Sequence, residues 1–162
     1  MTKMKRPIRI EGSIAYVPLT KGYVAIIDVE DVSLVEGHNW CATVSRNTVY
    51  AMRANIRGLK PSVIMLHRVI MGEPSGLEVD HRDGDGLNCR KRGQDGNLRV
   101  ATHWQNLCNA RVSKRNSSTV KGVTWDNTNN KWRAQIMVEG KNIHLGRYTS
   151  KAAARAAYAT AS

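Results

Sequence analysis

Short runs of apolar residues dominate the first third of the chain and predict β-strands. Ile14–Val17 and Tyr23–Ile27 are apolar runs of strand length on either side of a Thr-Lys-Gly turn, and residues 47–54 alternate between two faces. The run Val63–Ile70 is too short for periodicity to decide between strand and helix. We therefore expect residues 1–66 to form a small, β-rich support segment.

A strand pair followed by a helix is predicted in the middle of the chain. Val79–His81 leads into a turn-rich segment that ends at Gly96, and Leu98–Ala101 is a second short strand. Thr102 begins a helix, because Thr102 and Gln105 fit the N-cap and third position of a capping box.

The last third predicts three strands and one helix. Strand-like runs lie at Gly122–Trp125, Lys131–Val138 and Lys141–Tyr148, the last two joined by the two-residue turn Glu-Gly. Thr149 or Ser150 would cap the alanine-rich helix that follows. The polar stretch 113–119 is expected to be a linker that precedes this module.

Alternation along the second of these strands separates two faces. Trp132 and the residues that alternate with it are apolar enough to pack on the helix, together with Ile143 and Leu145. The opposite face of this strand carries Lys131, Arg133, Gln135 and Met137. A face of Lys, Arg and Gln is what a sheet that reads a DNA groove would display.

Charge and composition narrow the class of protein. The 162 residues carry a formal charge of +12, and residues 113–162 hold nine basic but only two acidic side chains. Such an excess makes a polyanion the expected partner. The three cysteines contain no Cys-x-x-Cys pair, and no apolar run approaches the length of a membrane span. We expect a cytoplasmic protein with no membrane partner, no disulfide framework and no zinc.

The residues with the clearest chemistry are Asp80, His81 and Asn106. Neighbours in an extended segment leave on opposite faces, so Asp80 could bind a cation while His81 faces a substrate. The carboxylate of Asp80 and the amide oxygen of Asn106, one turn into the helix, are hard oxygen ligands that suit Mg²⁺. A neutral His81 beside them could take a proton from water, which fits metal-assisted phosphodiester hydrolysis.

This stretch resembles the HNH nuclease motif, especially the homing endonucleases of phages and introns. The resemblance rests on Val-Asp-His-x-Asp-Gly-Asp-Gly-Leu-Asn from Val79 to Asn88 and Asn-Leu-Arg-Val-Ala-Thr-x-x-Gln-Asn from Asn97 to Asn106. It implies a ββα-metal fold in which His81 is the general base. It also implies that Asp80 and Asn106 hold one divalent metal, Mg²⁺ or Mn²⁺, and that Asn97 braces the loop that orients His81.

Two alternatives stay open within the motif. His103 lies three residues before Asn106 on the same helix face and is a rival metal ligand. The loop from Asn88 to Asn97 is longer than the common pattern, so it would either displace Asn97 or form a basic loop that touches the DNA backbone. The basic residues of that loop are Arg90, Lys91 and Arg92.

The C-terminal segment resembles the Apetala2-type DNA-binding domain. The resemblance rests on the sequences at 120–125, 131–136, 143–148 and 152–158. It implies a three-stranded sheet in the major groove with a helix behind it. The DNA contacts it implies are Lys121, Thr124, Trp125, Gln135, Asn142 and His144, to which the face argument adds Lys131 and Arg133.

Together these expectations describe an α+β DNA endonuclease of homing type that nicks double-stranded DNA. Its predicted parts are the support segment at 1–66, the HNH motif at 67–112, the linker at 113–119 and the DNA-binding domain at 120–162. A monomer is expected, with a dimer as the alternative, in the host-cell cytoplasm if a phage encodes it. The rival functions are an inactive DNA-binding regulator on an HNH fold and a structure-specific nuclease without sequence preference.

Overall fold

The chain folds into two compact units, residues 1–103 and residues 104–162. A computed structural model describes residues 5–45, 48–55, 62–94, 96–109, 112, 116 and 118–162. Within those residues strands outnumber helices, which agrees with the α+β class expected from the sequence. No helix in the described part of the chain is long and apolar enough to cross a membrane.

Two three-stranded antiparallel sheets form the N-terminal part of the first unit. The first sheet contains β1 (Arg9–Glu11), β2 (Ile14–Pro18) and β3 (Val24–Asp28) in that order. The second contains β4 (Cys41–Val44), β5 (Val49–Asn55) and β6 (Ser62–Met65). A short 3₁₀ turn (Thr20–Gly22) connects β2 to β3, and a second one (Val29–Asp31), followed by the one-turn helix α1 (Val32–Val35), connects the two sheets. The apolar run at 63–70 divides between β6 and helix α2 (Leu66–Ile70).

The alternating apolar residues of these strands build the core of the first unit. Ala15, Val17, Ala25 and Ile27 are buried on β2 and β3, because every second side chain of a strand points to the same face. Trp40 is the largest fully buried side chain, and its Nε1 donates to the carbonyl of Val35 at 3.1 Å.

A two-stranded antiparallel hairpin completes the first unit. It consists of β7 (Glu78–His81) and β8 (Leu98–Ala101), and both strands fall where the sequence predicted them. Helix α3 (His103–Asn109) follows β8 and begins directly after Thr102, as the capping box predicts; only its first residue belongs to the first unit.

The second unit holds the predicted three-stranded sheet and helix. The sheet order is β11 (Lys141–Tyr148), β10 (Lys131–Val138) and β9 (Val123–Asp126). Helix α4 (Lys151–Ala161) begins after Ser150, whose Oγ accepts a hydrogen bond from the Ala153 amide at 3.1 Å. Val123, Ala134 and Ala154 are fully buried between sheet and helix.

Some sequence expectations about the second unit need qualification. Leu145 packs against its core, whereas Ile143 is 46% exposed and does not. Residues 113–115 and 117 of the expected linker lie outside the described residues. Ser118, within the same stretch, is fully buried, and its hydroxyl donates to the carbonyl of Val123 at 2.6 Å.

Candidate active site and nucleic-acid interface

The register of the β7–β8 hairpin places Asp80 opposite Arg99 and His81 opposite Leu98. Arg99 donates two hydrogen bonds to Oδ2 of Asp80, from Nε at 2.9 Å and from Nη2 at 2.7 Å. Asp80 is 5% exposed, so this guanidinium partly neutralises a buried carboxylate. Arg99 has no predicted role, although its place in the strand expected to pair with that of Asp80 indicates such a contact.

His81 lies in a small cluster of rings. Its ring centroid is 4.9 Å from that of His67, edge to face, and 5.7 Å from that of Tyr50. Nε2 of His81 is 3.9 Å from Sγ of Cys89. Burial lowers the pKa of His81, against the opposing effect of nearby carboxylates, of which Asp83 is the strongest. The imidazole is therefore neutral at pH 7, the state that a general base requires.

Two other side chains of the cluster, His67 and Cys89, are also uncharged. Burial lowers the pKa of His67 to about 3, with smaller contributions from His81 and Arg68. Nδ1 of His67 is buried and has no hydrogen-bond partner among the described residues. Burial raises the pKa of the Cys89 thiol, so the sulfur keeps its proton at neutral pH.

Asn97 connects the two ends of the loop that follows His81. Its Oδ1 accepts from the amide of Asp83 at 3.0 Å, and its Nδ2 donates to the carbonyl of Asn88 at 2.7 Å. Its own carbonyl accepts from the amide of Arg82 at 3.1 Å. These backbone contacts are the kind that the family resemblance implies for Asn97, and they fix the segment immediately after His81.

The longer loop closes on itself before it reaches Asn97. The amides of Asn97 and Leu98 both donate to the carbonyl of Arg90, at 2.8 and 2.9 Å. The extra residues therefore leave the backbone contacts of Asn97 in place. Asp95 of this loop lies outside the described residues.

The basic residues of the loop are held by two buried carboxylates of the N-terminal part. Asp28 accepts from Nε of Arg90 at 3.1 Å and from the amides of Lys91 and Arg92 at 2.8 and 2.9 Å. Asp31 pairs with the side chains of Lys91 and Arg92 at 3.0 and 2.8 Å. These contacts anchor the loop within the first unit, and contact of its side chains with DNA stays a prediction.

The candidate metal ligands divide between the two units. Asp80 lies in the first unit and Asn106 lies on the part of α3 that belongs to the second, so their joint use stays a prediction. Nδ1 of His103, the rival ligand, is 2.7 Å from Oε1 of Glu78. In the described part of the chain, no group of three His, Cys, Asp or Glu side chains could hold a metal ion.

Cross-strand pairs define the polar face of the second unit. Arg133 lies directly opposite Thr124 on β9 and Arg147 on β11, and Gln135 lies opposite His144. Residues that face each other across strands share a side of the sheet. Most of the predicted DNA contacts therefore share the face of the sheet that points away from α4. They are Thr124, Lys131, Arg133, Gln135 and His144, together with Asn142 at the end of the hairpin.

Two predicted DNA contacts are placed differently. Trp125 lies opposite Trp132, with ring centroids 5.0 Å apart, on the face that carries α4. Nζ of Lys121 lies beside the carbonyls at the end of α3, donating to Cys108 and, at 3.5 Å, to Leu107. Arg147 was missed by sequence analysis, although its position on the same strand as His144 was readable.

The chain is 37% identical over 68 residues to Protein 3.8 of Escherichia phage T7. The match covers 42% of this chain and 53% of the phage protein, so the chain spans about half the length of this relative. No protein family matches the chain, and no solved structure does.

Proposed function

We propose that this protein is a metal-dependent DNA endonuclease of homing type that nicks duplex DNA. The observation that carries the proposal is a buried, neutral His81 next to Asp80, followed by a loop that Asn97 ties at both ends. The positive charge of the chain and its similarity to a phage protein are consistent with a nuclease that acts in a host-cell cytoplasm.

In the proposed reaction, His81 accepts a proton from a water molecule. The resulting hydroxide attacks the scissile phosphorus and the bond to the 3′ oxygen breaks, which leaves a 5′ phosphate and a 3′ oxygen that takes a proton from water. Asn97 acts through the backbone, because its hydrogen bonds hold the residues on either side of the loop. Arg99 holds the Asp80 carboxylate in one orientation through a single oxygen.

The donor chemistry at Asp80 and Asn106 fits a hard divalent ion. Mg²⁺ typically uses one or two protein carboxylates and completes its shell with waters and substrate phosphates. Oxygen donors on Asp80 and Asn106 match that preference, and the nearby Cys89 is protonated. A bound ion would neutralise charge on the scissile phosphate and the leaving oxygen.

Nicking of supercoiled plasmid tests the proposal. We expect the wild type to produce open circles in Mg²⁺ and none in EDTA. His81→Ala should lower the rate by about 10²–10⁴-fold, the usual contribution of a general base. His38→Ala, which changes an exposed histidine elsewhere in the first unit, is the matched control and should cleave like the wild type.

The Asp80–Arg99 pair gives specific support to a second candidate, a DNA-binding regulator without catalysis. In that protein Asp80 would be a structural partner of Arg99 rather than a metal ligand. Duplex binding without nicking under any divalent ion would favour this candidate and contradict the nuclease proposal. Equal cleavage of unrelated duplexes would instead favour a nuclease without sequence preference.

A further inference from the structure

The central strand of the C-terminal sheet carries an arginine, Arg133, that has no counter-ion among the described residues. Arg133 is half-buried on β10, and its Nε is shielded from solvent without a hydrogen-bond partner among the described residues. It forms no ion pair with any residue in the described part of the chain. A partly desolvated guanidinium without a partner is costly unless a ligand supplies the missing acceptor.

Arg133 lies between two other polar side chains, Arg147 and Thr124, on the neighbouring strands. Arg147 lies directly opposite it on β11, and like charges at such positions repel each other. Thr124 lies opposite it on β9, and its Oγ1 is also buried without a hydrogen-bond partner in the described residues. Two arginines and a hydroxyl therefore form one row across three strands.

One carboxylate offsets part of this charge. Nε of Arg147 donates to Oδ2 of Asp126 at 2.8 Å, and this bond, followed by one from Asn129, lowers the pKa of Asp126 to about 2. Asp126 therefore stays ionised and orients Arg147. Asp126 pairs with Arg147, and no carboxylate of the described residues forms an ion pair with Arg133.

The row is not covered by the helix of its own unit. Trp132 and Ala134, on either side of Arg133 along β10, pack in the core beneath α4. Because neighbouring residues of a strand point to opposite faces, Arg133 points away from that helix.

We propose that Arg133 and Arg147 together bind one phosphate group of the DNA backbone, with the Thr124 hydroxyl as a third donor and Asp126 as the positioning residue for Arg147. The inference rests on the DNA-binding part of the proposed function. Guanidinium groups present paired donors that match phosphate oxygens. A phosphate contact carries no sequence information, so this row fixes the register of the protein on the duplex.

Duplex binding by the full-length protein in EDTA, over a series of salt concentrations, tests the site. The probes are two fluorescently labelled duplexes of unrelated sequence, and the variants are Arg133→Ala, Arg147→Ala and the charge-matched control Arg155→Ala on the exposed surface of α4. We expect each test variant to bind both duplexes about tenfold more weakly and to lower the slope of log affinity against log salt by about 1. The control should retain the wild-type slope.

Several outcomes would overturn the site. The first is a test variant whose slope of log affinity against log salt equals that of Arg155→Ala. The second is a loss of affinity that differs between the two duplexes, and the third is a wild-type protein that binds neither duplex. Arg133→Lys checks folding, because it keeps the charge but loses the paired donors, and its affinity should fall between wild type and Arg133→Ala. Duplex binding without nicking in Mg²⁺ would contradict the nuclease proposal alone, and the arginine variants would still decide this site.

Discussion

His67 determines much of the environment in which His81 must work. Its ring packs edge to face with the His81 ring, and it is buried enough to stay neutral far below the ordinary histidine range. A charged imidazole at this position would repel a protonated His81 and raise the cost of burying both. The neutrality of the pair is therefore a property of the fold around it.

The low pKa of His67 predicts acid sensitivity. The unfolded chain binds a proton at the ordinary pKa of 6.5 and the folded chain only near 3, so the free energy of unfolding should decrease as pH falls below 6.5. This histidine alone contributes a slope of up to about 1.4 kcal/mol per pH unit. His67→Phe should show a shallower loss of Tm on acidification, measured by circular dichroism.

Exposed histidines provide the comparison for that experiment. His38→Ala, which removes a histidine from the surface of the first unit, controls for the loss of a histidine as such. Equal slopes in the wild type and His67→Phe would mean that His67 is protonated in the folded protein.

Sequence alternation was sufficient to separate Asp80 from His81, because it depends only on neighbouring residues. The ring contacts of His81 could not be predicted in the same way. Tyr50 and His67 reach it from β5 and α2, and nothing local in their sequences indicates that long-range contact. The loop anchor Asp28 was missed for the same reason, since its partners lie more than 60 residues away.

At the scale of elements, the contact between β9 and α4 depends on a glycine. Gly122 adopts a φ of +68°, and a Cβ there would lie 2.0 Å from Cε2 of Tyr158 and 2.5 Å from the carbonyl oxygen of Gln135. The absence of a side chain thus allows the start of β9 to approach both the helix and the neighbouring strand.

Gly122→Ala should therefore destabilise the second unit by about 2–4 kcal/mol, from backbone strain and overpacking together. Gly76→Ala is the matched control, because its φ is +68° but a Cβ would meet nothing within 4 Å. It should cost only the backbone strain, about 1 kcal/mol. Urea unfolding monitored by tryptophan fluorescence measures both, and similar losses would show that Tyr158 moves aside without cost.

Elements with strong local signals were predicted better than short ones. The helix after Ser150 and the turn at Glu139 and Gly140 follow from capping and turn preferences, and both are present. The run at 63–70 changes from strand to helix at Leu66, which periodicity over eight residues could not resolve. Helix α1 has a single turn and no capping side chain, so tertiary packing must hold it.

At the scale of the whole molecule, the two units have separate cores. The core of the first unit runs from Ala15 to Leu98, and that of the second contains Val123, Ala134 and Ala154. They share no residue. The second core is small, so we expect this unit to be the less stable of the two.

Thermal unfolding of the intact protein should consequently deviate from a two-state transition. Calorimetry should give a calorimetric enthalpy larger than the van't Hoff enthalpy, because the units unfold at different temperatures. Gly122→Ala should lower the first transition and leave the second unchanged. One cooperative transition in both proteins would contradict the separation.

The contacts between the N-terminal part and the loop that follows His81 limit where recombination could divide the gene without disrupting the fold. A parallel bridge joins Ile26 to Asn88, and Asp28 holds the backbone of Lys91 and Arg92. A crossover after residue 66 would bring together halves that have not evolved together and would separate the loop from its anchor. A crossover after residue 103 would keep each core whole. A crossover at the second junction therefore leaves the contacts around His81 intact, although it replaces Asn106 together with the rest of the second unit.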